Sequence, residues 1–343
     1  MKHGRFAGDI TQNFSHVVET KNIEKRIISW ATKNNIITVT AQSNLLSQLK
    51  NSKNDKFLCV FLVDLMPNFD YWKTISDVCI TDGKIVSVIT DTIFKDHVSF
   101  PGIDFYSFPK LLGATKNYSD YPLEPQTHER LYNSLVLRVE SVRQSWFYFL
   151  HQHRLLDQGF VSFQFKQLPT YKNLSGYELL EWIHYNHGLD TLPHFHRAFV
   201  ELQHQVPYCN FDTQSVEHVI EHSKYSLALE TYATDDDIDM WIVYEKTLTP
   251  LQFATVPLLF CQKGAVLQCV KLGLEIPEFM MSIDQLSWQE RQQSLLNILV
   301  NDTVEFSWQE SKDRALYNRN LLLNWRQECH SDTFFDSAFD SIA

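Results

Sequence analysis

The chain has no apolar run of the ~18 residues that a membrane-spanning helix needs; the longest, Phe57 to Met66, is broken by Asp64 and reads as a buried strand. The opening residues, Met1 to Phe6 (MKHGRF), are not followed by an apolar signal core, so a cytoplasmic location is expected (of the host cell, if the chain is viral). The six cysteines, Cys59, Cys79, Cys209, Cys261, Cys269 and Cys329, contain no CxxC pair. That excludes a zinc ribbon and leaves reduced structural thiols. Positive charge is also scarce: 30 Lys and Arg against 41 Asp and Glu give a net charge of −11, which argues against a general nucleic-acid coat. No segment repeats, and only the last dozen residues are compositionally biased.

What is present suits packed cores. Hydrophobic residues make up 44% and aromatics 13% of 343 residues, enough for two domains of ordinary size. Charge is uneven. Residues 1–60 hold nine Lys/Arg and four Asp/Glu, leaving 21 and 37 for the remainder. This basic N-terminal region is either a solvated surface or a face that touches phosphates.

Strands and helices alternate, which predicts an α/β sheet in each half. Residues 57–64 (FLCVFLVD) read as a parallel strand covered on both faces. Val78–Ile80 and Lys84–Ile89 read as two short strands around a turn at Asp82-Gly83, and 101–128 as loop. Tyr132–Leu137 is apolar, and Val142–Leu156 has helical periodicity with Gly159 as its C-cap. Strands are expected at Phe160–Phe165, Tyr225–Glu230 and Val256–Cys261; helices at Gln214–His222, Glu245–Phe253, Ala265–Leu272, Ser287–Leu299 and Asp313–Trp325. The His-, Tyr- and Pro-rich stretch 166–212 is the expected junction between an N-terminal lobe (1–165) and a C-terminal lobe (213–330), with 331–343 a tail.

The strongest chemical pattern lies at 225–260. A strand (YSLALETYA) ends in the carboxylate Glu230, a helix begins at Glu245-Lys246, and the next strand opens on Val256-Pro257. Ligands of open α/β sheets bind beyond the carboxyl ends of the strands, where helix N-termini offer N–H groups to a diphosphate. Lys246 would add a point charge, and Glu245 can accept from two ribose hydroxyls. The plainer reading is a surface Glu-Lys at a helix start.

This pattern, over roughly Ser223–Gly273, resembles the donor motif of fucosyltransferase-like glycosyltransferases of the two-Rossmann-lobe (GT-B) type, including glycosyltransferase-like proteins of phages. The chain departs from it in having Val243-Tyr244 before the pair, where the family often has Ile-Thr. The resemblance implies an α/β fold of two Rossmann-like lobes with the active site in the cleft between them. It implies a nucleotide-sugar donor held by Glu245 and Lys246, and no required cofactor.

A second stretch is similar to such relatives: an Arg-bearing turn (Arg138, Arg143), a helix ending LLDQG at 155–159, then a strand with Val161-Ser162. Arg138 and Arg143 either reach the diphosphate, stabilising the leaving nucleotide without a metal, or pair with local acids such as Glu140. Glu230 belongs to the same expected donor site. For the catalytic base, Asp64 is the first candidate because it ends the most apolar N-terminal strand; Asp91 is second and His16 third. Asp64 as a turn cap is an equal alternative.

Four further patterns stand apart. The run Asp235, Asp236, Asp237, Asp239 has the Asp-x-Asp spacing by which single-lobe glycosyltransferases hold a divalent metal, though acidic loops are common. His218-Val-Ile-Glu-His222 puts two histidines on one helix face, as in an inverted zinc peptidase motif, but such strings arise by chance. His151/His153 and His194/His196 are pairs with no third ligand in view. In the tail, Phe334, Phe335 and Phe339 alternate with Asp332, Asp336 and Asp340, which suits docking into a partner's apolar groove. The tail resembles the sliding-clamp-binding peptides of T-even-type phage replication proteins; packing of these rings on their own domain is the alternative. Together the resemblances imply sugar transfer to hydroxymethylated cytosine in double-stranded DNA, with a replication clamp as partner and no membrane. A transferase of glycans or proteins, or a non-catalytic protein on such a fold, are the other readings.

Overall fold

The computed structural model describes residues 24–33, 36–40, 42–61, 69–90, 93–94, 99–107, 118–124, 127–136, 141–163, 208–211, 215–230, 233, 240–241 and 245–330. The chain divides into two compact units. One draws on Ile10–Asp120, Asp237–Glu245 and Asn318–Ala343, the other on Tyr121–Asp236 and Lys246–Tyr317. Each is an α/β unit around its own sheet.

The first sheet has four strands, β1 (Ile37–Val39), β2 (Lys56–Phe61), β3 (Ile85–Thr90) and β5 (Ile103–Ser107), in that spatial order and all parallel. Phe57, Leu58, Cys59 and Val60 are buried in succession, as are Val86, Val88 and Ile89, because helices must cover both faces of a parallel sheet. Those helices are α1 (residues 24–33), α2 (Gln42–Asn51) and α3 (Phe69–Asp82). The short strand expected at Val78–Ile80 is instead the last turn of α3. Its buried residues Trp72, Ile75, Ser76 and Cys79 recur at three- and four-residue steps, the helical period. Gly83, at φ +64°, then supplies the left-handed C′ residue. Lys84 follows and extends its amine to the carbonyls of Leu49 and Ser52, closing the C-terminal end of α2. The expected loop at 101–128 holds the edge strand β5, whose five residues are hidden in sequence between Pro101-Gly102 and further turn formers. A two-residue ladder, β4 (Ile93–Phe94) with β10 (Met240–Trp241), completes the described strands of this unit.

The second sheet has five strands. β6 (Arg130–Val136) is central, with β7 (Gly159–Phe163) and β8 (Tyr208–Cys209) on one side and β9 (Ser223–Leu229) and β11 (Val256–Phe260) on the other. All are parallel except β8, which runs antiparallel on β7. This corrects the expected boundary between lobes at 1–165 and 213–330. Tyr132 pairs with Tyr225 and Asn133 with Ser226, so residues 130–163 belong to the C-terminal sheet. Alternation of strand and helix says that a sheet forms but not which sheet a strand joins, and β7 and β8, which bracket most of the expected junction, pair within one sheet. A buried polar pair fixes β6 to β9: Ser226 Oγ donates to Asn133 Oδ1 at 3.0 Å, and Asn133 Nδ2 donates to the Tyr225 carbonyl at 3.3 Å.

The helices of this unit are α4 (Ser141–Gln152), α5 (Val216–Glu221), α6 (Glu245–Leu248), α7 (Ala265–Lys271), α8 (Glu278–Asp284), α9 (Trp288–Asn301) and the start of α10 (Trp308–His330). Gly159 is not the C-cap expected of α4. It opens β7 at an extended φ of −117°, and its missing side chain admits the ring of Tyr132. The left-handed residue after α4 is Arg154, at φ 55°. α9 starts with a reciprocal capping box between Ser287 and Glu290. Trp146 of α4 packs edge-on against Phe260 of β11, with ring centroids 5.4 Å apart. Cys59, Cys79, Cys261, Cys269 and Cys329 are buried. Among the described residues, no helix is long and apolar enough to cross a membrane.

Candidate functional site

The order β8-β7-β6-β9-β11 places a reversal of strand order between β6 and β9. The chain leaves β6 through α4 toward β7 and later returns to lay β9 on the other flank. This is the 3-2-1-4-5 order of a Rossmann-type sheet, and ligands bind at the carboxyl ends of the strands at such a point.

Three of the expected donor residues meet there. Arg143, in the first turn of α4, is 1% exposed, and its Nε donates to the Leu229 carbonyl at 3.1 Å, at the end of β9. Glu230, the next residue, donates its N–H to the Phe260 carbonyl at 3.0 Å, joining the ends of β9 and β11. Its carboxylate Oε1 accepts the Thr247 N–H at 3.1 Å and the Thr247 hydroxyl at 2.6 Å. Glu230 therefore anchors the first turn of α6 and sets where the half-buried Lys246 stands. The main chain of Glu245 begins α6; its side chain lies outside the described residues.

The expectation of open helix N-termini changes in detail. The Thr247 N–H is taken by Glu230. At the start of α7, which follows β11, Asp284 accepts from Val266 and Leu267 at 3.3 and 3.2 Å. Burial pushes the Asp284 carboxyl up, and those N–H groups together with Arg291 offset only part of the rise. Internal carboxylates thus occupy N–H groups at both helix starts. Arg291 is buried and clamps the neighbouring loop, donating to the Ala233 carbonyl at 2.8 Å and the Leu286 carbonyl at 2.7 Å. Sequence reading had no signal for Arg291 or Asp284, since both act through tertiary contacts from α8 and α9.

Asp64, Asp91, His16, Arg138, Asp235, Asp236, Asp237, Asp239, Phe334, Phe335 and Phe339 lie outside the described residues.

The amino edge of the same sheet holds a second group. His218 and His222, one helical turn apart on α5 and its C-cap, stack their rings at 3.7 Å between centroids. Glu129, just before β6, brings Oε1 to 3.6 Å from His218 Nε2 and 3.8 Å from His222 Nε2. Burial, with the neighbouring His222, holds His218 below the usual imidazole range against the opposing pull of Glu129. The histidine spacing was legible in the sequence; the carboxylate, from a distant strand start, was not. Glu221, the carboxylate inside the string itself, accepts the Glu124 N–H at 3.2 Å.

The chain matches no protein-family model, no curated protein and no solved structure.

Proposed function

We propose that the chain is a nucleotide-sugar-dependent glycosyltransferase of the two-lobe GT-B type, with the five-stranded unit holding the donor and transfer taking place in the cleft between lobes. The observation that carries this reading is the meeting of Arg143, Glu230 and the Lys246-Thr247 turn where the strand order reverses. In this reading Lys246 contacts the diphosphate. Glu230 is a positioning residue that holds the Lys246 main chain. Arg143 contributes a buried, fixed positive charge beneath the site, and Arg138 is the arginine that reaches the phosphates. Such fixed cations stabilise the charge that develops on the leaving nucleotide. Asp64, then Asp91, is the base that takes the acceptor proton.

The acceptor in this reading is hydroxymethylated cytosine in double-stranded DNA, turned out of the stack to be reached. It is supported by the basic N-terminal region and the acidic-aromatic tail, whose Phe334, Phe335 and Phe339 dock on a sliding clamp. Incubation with hydroxymethylcytosine DNA and a panel of nucleotide sugars tests it: a hexose- or pentose-sized mass gain on DNA is expected, and no gain with any donor sinks the DNA acceptor. Deleting Thr333–Ala343 lowers modification of replicating DNA if the tail docks, and leaves a glycan- or protein-directed enzyme unaffected. One observation favours a non-catalytic binding protein on the same fold: Arg143 and Glu230 are both engaged in internal hydrogen bonds. Absence of nucleotide-sugar binding decides for that reading.

A further inference from the structure

The geometry points to a site for a divalent first-row transition ion, zinc foremost, held by Glu129 Oε1, His218 Nε2 and His222 Nε2 at the amino edge of the five-stranded sheet. It lies at the opposite ends of β6 and β9 from Arg143 and Glu230, and it ties the starts of those two strands together.

The spacing fits a metal better than it fits hydrogen bonds. The ligand atoms of the three residues all lie within 4.8 Å of one another. Zn–N and Zn–O bonds of about 2.0–2.2 Å in a tetrahedron set ligand atoms roughly 3.3 Å apart. The 3.6 and 3.8 Å separations from Glu129 need to close by only a few tenths of an ångström. As they stand, both are too long for hydrogen bonds. His218 Nε2 is shielded from solvent and has no hydrogen-bond partner among the described residues.

The tautomer of His222 is set by its surroundings. His222 Nδ1 lies 2.8 Å from the His218 carbonyl oxygen. A carbonyl can only accept, so Nδ1 carries the hydrogen, and in the neutral ring Nε2 is the nitrogen left to offer a lone pair to a cation. A backbone carbonyl holding the far nitrogen of a ligating histidine is the usual outer-shell arrangement of metal sites.

The main chain is already tied in place. The N–H groups of Glu129 and Arg130 donate to the His222 carbonyl at 2.9 and 3.2 Å. Ser215 caps α5 through the His218 N–H at 3.1 Å. Two imidazoles and one carboxylate select zinc, cobalt, nickel, copper or iron over magnesium and calcium. The Glu129 and His218 side chains are 47% and 33% exposed, so the cluster lies near the surface of this unit. The nearby Lys224 is compensated by Asp302 at 2.6 Å, so it does not oppose a bound cation with an unpaired charge. Because Glu221 is directed to Glu124, the site is assigned binding and not the hydrolytic chemistry that its histidine string resembles.

The test uses the full-length chain, stripped of metal by a chelator and titrated with Co²⁺ and then Zn²⁺. One equivalent of Co²⁺ is expected, with the visible absorption of a four- or five-coordinate ion, displaced by Zn²⁺. Zn²⁺ should also raise the melting temperature. Glu129→Gln, His218→Gln and His222→Ala are each expected to weaken Zn²⁺ binding by more than ~100-fold, since loss of an outer-shell partner alone costs about 10–100-fold. His222 is buried and its alanine variant risks misfolding. Glu129→Gln is at an exposed side chain and keeps the test valid when far-UV circular dichroism matches wild type. Absence of Co²⁺ colour, or Zn²⁺ affinity unchanged in Glu129→Gln and His218→Gln, overturns the assignment. Nucleotide-sugar binding is measured separately, so failure here and failure of the transferase reading are distinguishable.

Discussion

Replacing Glu230 separates its role as an anchor from a role as a ligand contact. Its Oε1 accepts both the N–H and the hydroxyl of Thr247, and both residues are at most 2% exposed. Glu230→Ala leaves the Thr247 N–H buried with no acceptor in place. An orphaned buried donor costs about 1–3 kcal/mol, and a lost hydrogen bond to a charged group about 1.5–3 kcal/mol. The Thr247 hydroxyl can turn to another acceptor, so the expected total is roughly 3–5 kcal/mol. At about 2–4 °C per kcal/mol for a domain of this size, the melting transition of this unit falls by roughly 6–20 °C. Glu230→Gln retains the oxygen and should cost about 1 kcal/mol. Thr247→Val removes one of the two donors, and its coupling to Glu230→Ala in a double-mutant cycle should reach about 1–2 kcal/mol. Calorimetric melting and urea titration of the wild type, the three single variants and the Glu230→Ala/Thr247→Val double variant measure this. The anchor role is refuted if alanine is tolerated within about 0.5 kcal/mol, or if glutamine is as damaging as alanine. A ribose contact would instead make both variants lose donor affinity alike with stability unchanged.

Other outcomes follow from single contacts. In Gly159→Ala the new Cβ would stand 2.5 Å from the fully buried Tyr132 ring, so a loss of at least about 1–3 kcal/mol is expected, and an unchanged melting temperature would show that the ring can withdraw. Burial pushes the Cys59 and Cys261 thiols well above their ordinary range, Cys79 to about 11 and Cys269 to about 12. These four should resist a thiol-disulfide reagent at mildly alkaline pH until denaturant is added. Rapid labelling of Cys261 or Cys269 in the native protein would contradict their burial. At Asp302, burial raises the carboxyl, but hydrogen bonds from Lys224 and Tyr225 and the Lys224 charge together hold it below the usual range. A depressed carboxyl contributes stability above its unfolded value, about 3.9, and loses it as pH falls through the folded value. The side chain is 51% exposed, so Asp302→Asn should cost only about 0.5–1 kcal/mol at neutral pH after solvent screening. The wild-type and variant curves should converge in acid; divergence there would reverse the sign.

Much of the C-terminal half was legible because its signals are local. Val256–Phe260 is an unbroken apolar run, and Gly273, at φ 98°, follows α7 in the left-handed conformation that favours glycine. Ser287 and Glu290 stand at capping-box spacing before an amphipathic run. Errors arose where local and tertiary signals part. Val78, Cys79 and Ile80 look like a strand fragment until Trp72 and Ile75 are counted on the same face. Gly159 looks like a helix stop, but only the position of Tyr132 shows why no side chain fits. β6 and β7 were assigned to the wrong lobe, because sheet membership is decided by pairing across long sequence separations. At the sheet's carboxyl edge the sequence located Glu230 and Lys246 but not the Thr247 contact that relates them. At the amino edge it offered two histidines at helical spacing, and only the parallel pairing of β6 and β9 brings Glu129 to them.

Calorimetric titration of the full chain with nucleotide sugars and their nucleoside diphosphates, wild type against Lys246→Ala, tests the central claim most directly. The account predicts that at least one donor binds and that Lys246→Ala weakens it by about tenfold or more, near 1.4 kcal/mol, without a change in melting temperature. Binding of no donor by the wild type, or equal binding by both proteins, would contradict it.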